Sequence, residues 1–447
     1  MTTTLRSMTS RTPAPAATAA DSRQASVQRR ILGVLVLAQI IGTVGVGVAP
    51  SIGVLLAEDV TNSEVWAGLA RTASTLGAAL FGLPLGSLAA RRGRRVALTT
   101  GWLAAASGAA VLVGVSQWQS ALLLFPGLVL IGIGSAVALQ SRFAATDRAL
   151  PHQRGRALAF VVWVGTLGSV IGPNLGIPGG WIRDATGLTA YAGAFLIAAA
   201  ALGSAGLVVA IALRPEPLSI GLPSGPDAGR SGGAEPSPRS RGMRQPIREL
   251  VTAVRSSKRA GTAVLAIVTA QVVMVSVMTM TPVHLHHHGG SVTIVGLTIS
   301  LHIVGMYALA PIVGVVIDRK SARFAVTTGV AILAAALLLA VASPESTATV
   351  VVALILLGVG WSFTNVAGSA LFNEAITTPN RARAQGAVDA LANLCGAAAA
   401  FLSGPFLAVS GFATLALAGL VVLVPLGVVA AVSGRWREPG ASTGRRR

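Results

Sequence analysis

The chain has 447 residues, of which 53% are hydrophobic and only 11% charged, and its 34 Lys and Arg against 15 Asp and Glu give a formal net charge of +19. With a mean hydropathy of +0.72, this composition excludes a soluble globular or disordered protein and implies an integral membrane protein. A single cysteine, Cys395, excludes an intramolecular disulfide and a thiolate metal cage.

Residues 1–30 are rich in Thr, Ser, Ala and Pro and read as a disordered cytoplasmic tail ahead of the first apolar stretch. Twelve stretches follow that can cross ~30 Å of hydrocarbon, which takes roughly 20 helical residues. They run over 31–57, 64–89, 96–116, 119–141, 157–178, 190–213, 260–283, 291–317, 324–342, 348–372, 385–409 and 412–433. The polar stretch 214–259, dominated by Pro, Gly, Ser and Arg, reads as a cytoplasmic linker between a six-helix bundle over 31–213 and a second over 260–433. A basic tail, 434–447, closes the chain.

Placement of the basic residues sets the orientation. With the N-terminus inside, all of the 34 Lys and Arg except Arg71 and Arg183 fall in the tails, the linker or loops on one side. That asymmetry predicts a multi-pass protein of the cell membrane with both termini cytoplasmic. It also excludes a nucleic-acid face, since the charge is spread over short loops with no aromatic stacking platform.

The halves resemble each other. Gly86-Ser-Leu-Ala-Ala90-Arg91-Arg-Gly-Arg-Arg recurs as Gly314-Val-Val-Ile-Asp318-Arg319-Lys-Ser-Ala-Arg, Gly132-Ile-Gly134 as Gly358-Val-Gly360, and Arg154-Gly-Arg156 as Arg381-Ala-Arg383. Parallel repeats of this kind place a substrate site near the bilayer midplane between rocking halves. On these features the chain resembles the major facilitator superfamily from about residue 30 to 433. The resemblance implies an all-α membrane protein of twelve transmembrane helices in two six-helix parallel pseudo-repeats, working by alternating access. Gly86, Leu88, Ala89, Arg91, Gly93, Arg94 and Arg95 fit that family's signature loop, but Ala90 replaces its carboxylate. The expected cytoplasmic latch therefore shifts to the second copy, with Asp318, Arg319 and Arg91 as candidate gating residues; topology signalling alone is the alternative. Gly168-Ser-Val-Ile-Gly172-Pro173-Asn174-Leu-Gly176 is similar to a motif of the superfamily's antiporters, although close packing plus a kink accounts for it equally.

Between Met274 and Met306 lie five of the six histidines and four of the seven methionines. Met274-x-x-x-Met278 and His302-x-x-x-Met306 are two pairs at helical spacing, each aiming two donor atoms from one helix face. Thioether and imidazole suit monovalent copper. Methionine is also an ordinary apolar filler, but a histidine in mid-span is costly and is read by default as functional; a hydrogen bond to a neighbouring helix is the alternative. The paired motifs on the seventh and eighth helices resemble those of the CcoA-type copper importers within the superfamily. That implies copper as the transported substrate, delivered to a cytoplasmic copper acceptor, whereas relatives lacking the full set carry organic molecules such as riboflavin.

His284, His286, His287 and His288 are a candidate outer capture site for the ion, with a solvated loop as the alternative. Asp389 and Arg71 are candidate coupling or gating charges within spans. No enzyme motif appears and no cofactor is expected. The reading is a secondary transporter importing copper through Met274, Met278, His302 and Met306. The rivals are an organic small-molecule transporter or drug/proton antiporter and, further off, a membrane metal sensor.

Overall fold

The computed structural model describes residues 17–149, 154–217, 250–252, 254–255, 257–375 and 381–433, and every regular element among them is helical. The first helix, α1, runs over Ala17–Val46, passes through a π-helical turn at Ala49–Gly53 and continues as Val54–Thr61. There follow α2 (Glu64–Arg92), α3 (Arg94–Trp118), α4 (Ala121–Ala144), α5 (Arg154–Ile171, a 3₁₀ turn Gly172–Leu175, then Gly176–Thr186) and α6 (Ala190–Ala212). The second set is α7 (Lys258–His287), α8 (Val292–Tyr307 with Ala310–Arg319), α9 (Ala322–Ala342) and α10 (Thr347–Ala375). The last helical run, Arg381–Ser433, is broken at Gly411 (φ 78°) into α11 (381–410) and α12 (412–433), because a left-handed residue cannot continue a helix.

Ten of these elements are long and apolar enough to cross a membrane, the run Ala384–Val432 counting as one of them. Splitting it at Gly411 gives eleven, and α5 makes twelve. In that helix Gly172-Pro173 begins a 3₁₀ turn, Pro173 having no N–H to donate and a ring that crowds the preceding turn. The twelve expected stretches thus each meet a helix. Several ends differ. α1 begins at Ala17, inside the stretch read as an unstructured tail, and runs to Thr61 past the expected 57; α5 extends past 178 to Thr186 and α7 past 283 to His287. Most of the expected linker and the basic tail lie outside the described residues.

Polar caps decide where helices start. Ser257, Thr189, Ser291 and Ser321 each accept a hydrogen bond from the backbone N–H three residues on, at the starts of α7, α6, α8 and α9. With the cores apolar on every side, as membrane helices are, these caps set register where hydrophobic periodicity is weak.

Two large apolar clusters form the interior, one from α1–α6 around Trp102, Phe195 and Leu128, the other mainly from α7–α12 around Leu333, Leu354 and Met280. Their packing repeats. A Cβ on Gly132 of α4 would collide with the Ser74 carbonyl of α2, and one on Gly77 with the Val129 carbonyl. Offset by 226 to 228 positions, Gly358 of α10 sits against the His302 carbonyl of α8, and Gly305 against the Ile355 carbonyl. Only glycine allows the backbones of α2 and α4, or of α8 and α10, to approach this closely. The repeat read from loops is therefore also a repeat of helix crossings, and it places His302 at the counterpart of Ser74.

The face where α7 ends carries the histidines; the opposite face carries Arg91–Arg95 and Arg319–Arg323. Contacts between the two sets of helices cluster toward the histidine face. Thr72 Oγ1 of α2 donates to the Ala397 carbonyl of α11 (3.1 Å), and Gly68 of α2 and Gly404 of α11 admit each other's backbones. Gly296 of α8 likewise lies against Pro173 and Asn174 of α5. Asn174 Nδ2 donates to Ser300 Oγ (2.7 Å), which donates to the Val170 carbonyl (2.5 Å). The pathway is closed on this side.

Candidate transport pathway

Met274, Met278, His302 and Met306 are all buried, at 4%, 5%, 0% and 7% exposure, and the three methionines belong to the same apolar cluster. Their helices are not close partners, however. α7 packs chiefly on α11–α12 and α10, α8 packs on α10, and α7 and α8 share little surface. His302 accordingly faces α10: its Nδ1 donates to the Leu354 carbonyl at 2.7 Å, while Nε2 is buried without a partner. The carbonyl fixes the tautomer and leaves a bare lone pair on Nε2, the form in which imidazole binds metal. Met306 follows one turn later on the same helix face. No group of three or more His, Cys, Asp or Glu side chains placed to hold a metal ion is found among the described residues, so an ion at Nε2 would depend on thioethers.

Sequence reasoning missed a polar and aromatic group in the middle of the molecule. Trp361 Nε1 of α10 donates to Gln271 Oε1 of α7 (3.1 Å). The Trp361 ring meets Tyr307 of α8 edge-on, with centroids 5.9 Å apart and planes at 70°. Gln271 also approaches Gly396 of α11. Arg71, on the face of α2 that meets α11, lies within electrostatic reach of Tyr307 and His302. Arg71, Tyr307 and Gln271 keep partial exposure. The signal was present in sequence as polar and aromatic residues in mid-span. Nothing in it said that four separate helices would bring them together.

Of the outer histidines only His284 is buried, while His286, His287 and His288 are exposed at the end of α7. His284 is buried, its Nε2 hydrogen-bonded to the Pro344 carbonyl (2.7 Å) and its ring stacked on Phe412 at 4.1 Å with planes 8° apart. His288 Nδ1 donates to the His284 carbonyl (2.8 Å), helping to close α7. His287 pairs with Glu58 at the end of α1 through Nε2 and stands 3.3 Å from Glu64 of α2 through Nδ1. His286 is exposed. One imidazole thus joins two carboxylates of the first set of helices to the second, across the closed face. A pocket beside it is lined by Glu64, His284, His287, His288, Glu345 and Phe412.

On the arginine face, the charge network lies in the first half. Arg94 donates to Asp147 (2.9 Å) and Gln140 (3.1 Å), and the Glu216 carboxylate accepts from the backbone N–H groups of Arg94 (2.5 Å) and Arg95 (3.2 Å). A carboxylate at the first turn of α3 complements the helix dipole. Asp147 and Glu216 thereby supply the negative charge that Ala90 lacks. Asp318, Arg319 and Arg91 are exposed, and no ion pair joins them among the described residues. Asp389 accepts from Gln385 (3.1 Å) and lies within reach of Arg142 of α4. The side chains of Arg381 and Arg383, about two turns before Asp389, are outside the described residues.

The glycines of α5 pack onto α1. Gly168 fits against Ile40 and Thr43, Gly172 against Val44 and Gly47, and Thr43 Oγ1 donates to the Gly165 carbonyl (2.9 Å). Close packing plus a kink describes the motif Gly168–Gly176.

Comparisons with known proteins agree with this architecture. The family profile described as Major Facilitator Superfamily matches residues 34–400, and again 263–446. The chain is 37% identical over 417 residues to the uncharacterized MFS-type transporter YdeG of Bacillus subtilis, covering 92% of this chain and 94% of that protein. It is 29% identical over 392 residues to the riboflavin transporter RfnT of Brucella anthropi, covering 88% and 92%. Among solved structures, a bacterial homologue of the human lysosomal transporter Spinster, in an inward-facing and unoccupied conformation, superposes with TM-score 0.65 at 15% identity, covering 92% of this chain and 97% of the other. The nucleoside transporter NupG gives 0.66 at 13%, covering 91% and 100%. With twelve helices, glycine crossings repeated between the halves and a match over most of its length, the chain belongs to the Major Facilitator Superfamily of membrane transporters.

Proposed function

We propose that this transporter carries a small organic solute, held between the halves against Trp361, Tyr307 and Gln271. The observation that carries the reading is the central group itself: an indole fixed by an amide, a phenol beside it, and partial exposure of the amide and the phenol. Sites for organic ligands are mostly apolar and aromatic with a few placed polar groups. The relative RfnT is named for transport of riboflavin, a flat heteroaromatic molecule, and an aromatic floor suits such a ring. The arginine-rich face is taken as cytoplasmic from the positive-inside bias, which makes the joined histidine face the outer one. The 31–213 and 260–433 bundles are the two rocking bodies. Uptake of riboflavin and other heteroaromatic solutes into liposomes bearing the wild type, Trp361→Ala and Gln271→Ala decides the matter. Transport by the wild type and a tenfold or greater loss in both variants supports the reading; transport unchanged in both, with equal amounts in the membrane, sinks it.

Copper import is the second reading, and His302 favours it. Its Nε2 lone pair is bare and buried, Met306 stands one turn away, and Met274 and Met278 share the cluster. In this reading the outer histidines receive the ion and a cytoplasmic acceptor removes it. Arg71 weighs against a cation held at His302, because a positive charge within reach raises the energy of a second one in a low-dielectric interior. Copper accumulation measured by mass spectrometry in cells with the wild type, the quadruple variant of Met274, Met278, His302 and Met306 to Ala, and empty vector separates the two. Equal accumulation in all three removes copper from consideration.

A further inference from the structure

Arg71 has no counter-charge. Among the described residues no carboxylate pairs with its guanidinium and no side-chain hydrogen bond satisfies it. The distribution of acid residues makes this a property of the whole interior. The carboxylates of the described helices, Asp21, Glu58, Asp59, Glu64, Asp184, Asp318, Glu374 and Asp389, lie near helix ends or within the first third of α11. Arg71 stands seven residues inside α2, which is ~10 Å from its end at 1.5 Å per residue. Gly68, Thr72 and Thr75 share its helix face, and the first two of these touch α11 of the opposite half, so the guanidinium emerges at the seam between the halves. Tyr307 and His302, whose Nε2 is unpartnered, lie within electrostatic reach of it.

An unpaired intramembrane charge marks a substrate pathway by default. The guanidinium's planar fork of five donors matches a carboxylate or another oxyanion. Resting on the organic-solute reading above, we propose that Arg71 is a substrate-binding residue that selects organic anions: the solute presents an oxyanion to Arg71 while its ring lies against Tyr307 and Trp361.

The test has two arms. In the first, Thr75→Cys is introduced in a Cys395→Ala background of the full-length protein in liposomes, and its reaction with an anionic and a cationic methanethiosulfonate of similar size is timed. The anionic reagent is expected to react faster. Adding Arg71→Gln lowers the anion-to-cation rate ratio about tenfold, the order expected for one unit charge at short range in a partly screened cavity, and Arg71→Lys retains it. A ratio that Arg71→Gln leaves unchanged overturns the proposal. In the second arm, uptake of riboflavin is compared with uptake of riboflavin 5′-phosphate. Preference for the phosphate ester, lost in Arg71→Gln and restored by Arg71→Lys, supports the proposal. Riboflavin 5′-phosphate uptake equal in the wild type and Arg71→Gln overturns it while leaving organic-solute transport standing. Inhibition by inorganic phosphate as strong as by the ester assigns Arg71 to a free-anion site and also overturns it.

Discussion

Gly358→Ala probes the crossing that seats His302. The added Cβ would collide with the His302 carbonyl, with His302 Nδ1 at 3.1 Å and the Met306 nitrogen at 3.2 Å also inside ordinary contact. Two of these three atoms are backbone, so α8 must move away from α10 as a unit. Overpacking of this kind costs ~1–3 kcal/mol, and stretching the 2.7 Å bond from His302 to the Leu354 carbonyl costs about 1 kcal/mol more. The better helix propensity of alanine returns about 1 kcal/mol, leaving a net loss of ~1–3 kcal/mol. At roughly 2–4 °C per kcal/mol, the melting temperature of the purified protein should fall by about 2–12 °C, read by a thiol-reactive dye at Cys395, the single cysteine, which is partly buried. Gly314→Ala is the control: nothing lies within 4 Å of where its new methyl group would stand, so only the propensity gain remains and the transition should hold or rise. Equal melting temperatures for the two variants would refute the reasoning that Gly358 is present for backbone approach.

Other consequences follow from named contacts. Glu58→Gln combined with Glu64→Gln removes both partners of His287 and should raise the labelling rate of a cysteine at Ser300 by an externally added reagent severalfold; no increase would show that helix packing alone seals this face. Arg94→Gln deletes the pair with Asp147, whose side chains are 15% exposed. Loss of up to ~1 kcal/mol and a changed transport rate are expected, measured by melting and by uptake, whereas Arg91→Gln, at an exposed position, should leave both unchanged. His302→Ala leaves the Leu354 carbonyl without this donor and opens a void, costing ~2–4 kcal/mol; if His302→Gln restores the melting temperature but not uptake, the bare Nε2 is a ligand rather than a packing group.

The spans, their number and the repeat were legible in sequence because lipid imposes length and apolarity on each helix separately, a local constraint. Helix ends needed the caps and Gly411, and the end of α7 moved because nothing after Pro282 stops it before His287. The buried state of Met274, Met278, His302 and Met306 was legible too, as membership of apolar stretches. Which residues face one another was not. Hydropathy is nearly uniform around these helices, so it carries little directional information, and the glycine crossings between α8 and α10 turned His302 toward Leu354 rather than toward α7. The same crossings set Trp361 beside Gln271 and Tyr307, and the seam of α2 with α11 brought Arg71 before them. Asp147 and Glu216 took up the role left open at Ala90, from positions dozens of residues away. Local sequence determined that this chain spans a membrane and is built twice. Only tertiary packing, through backbone contacts that glycine permits and side-chain bonds it then enforces, decided what the space between the two copies can hold.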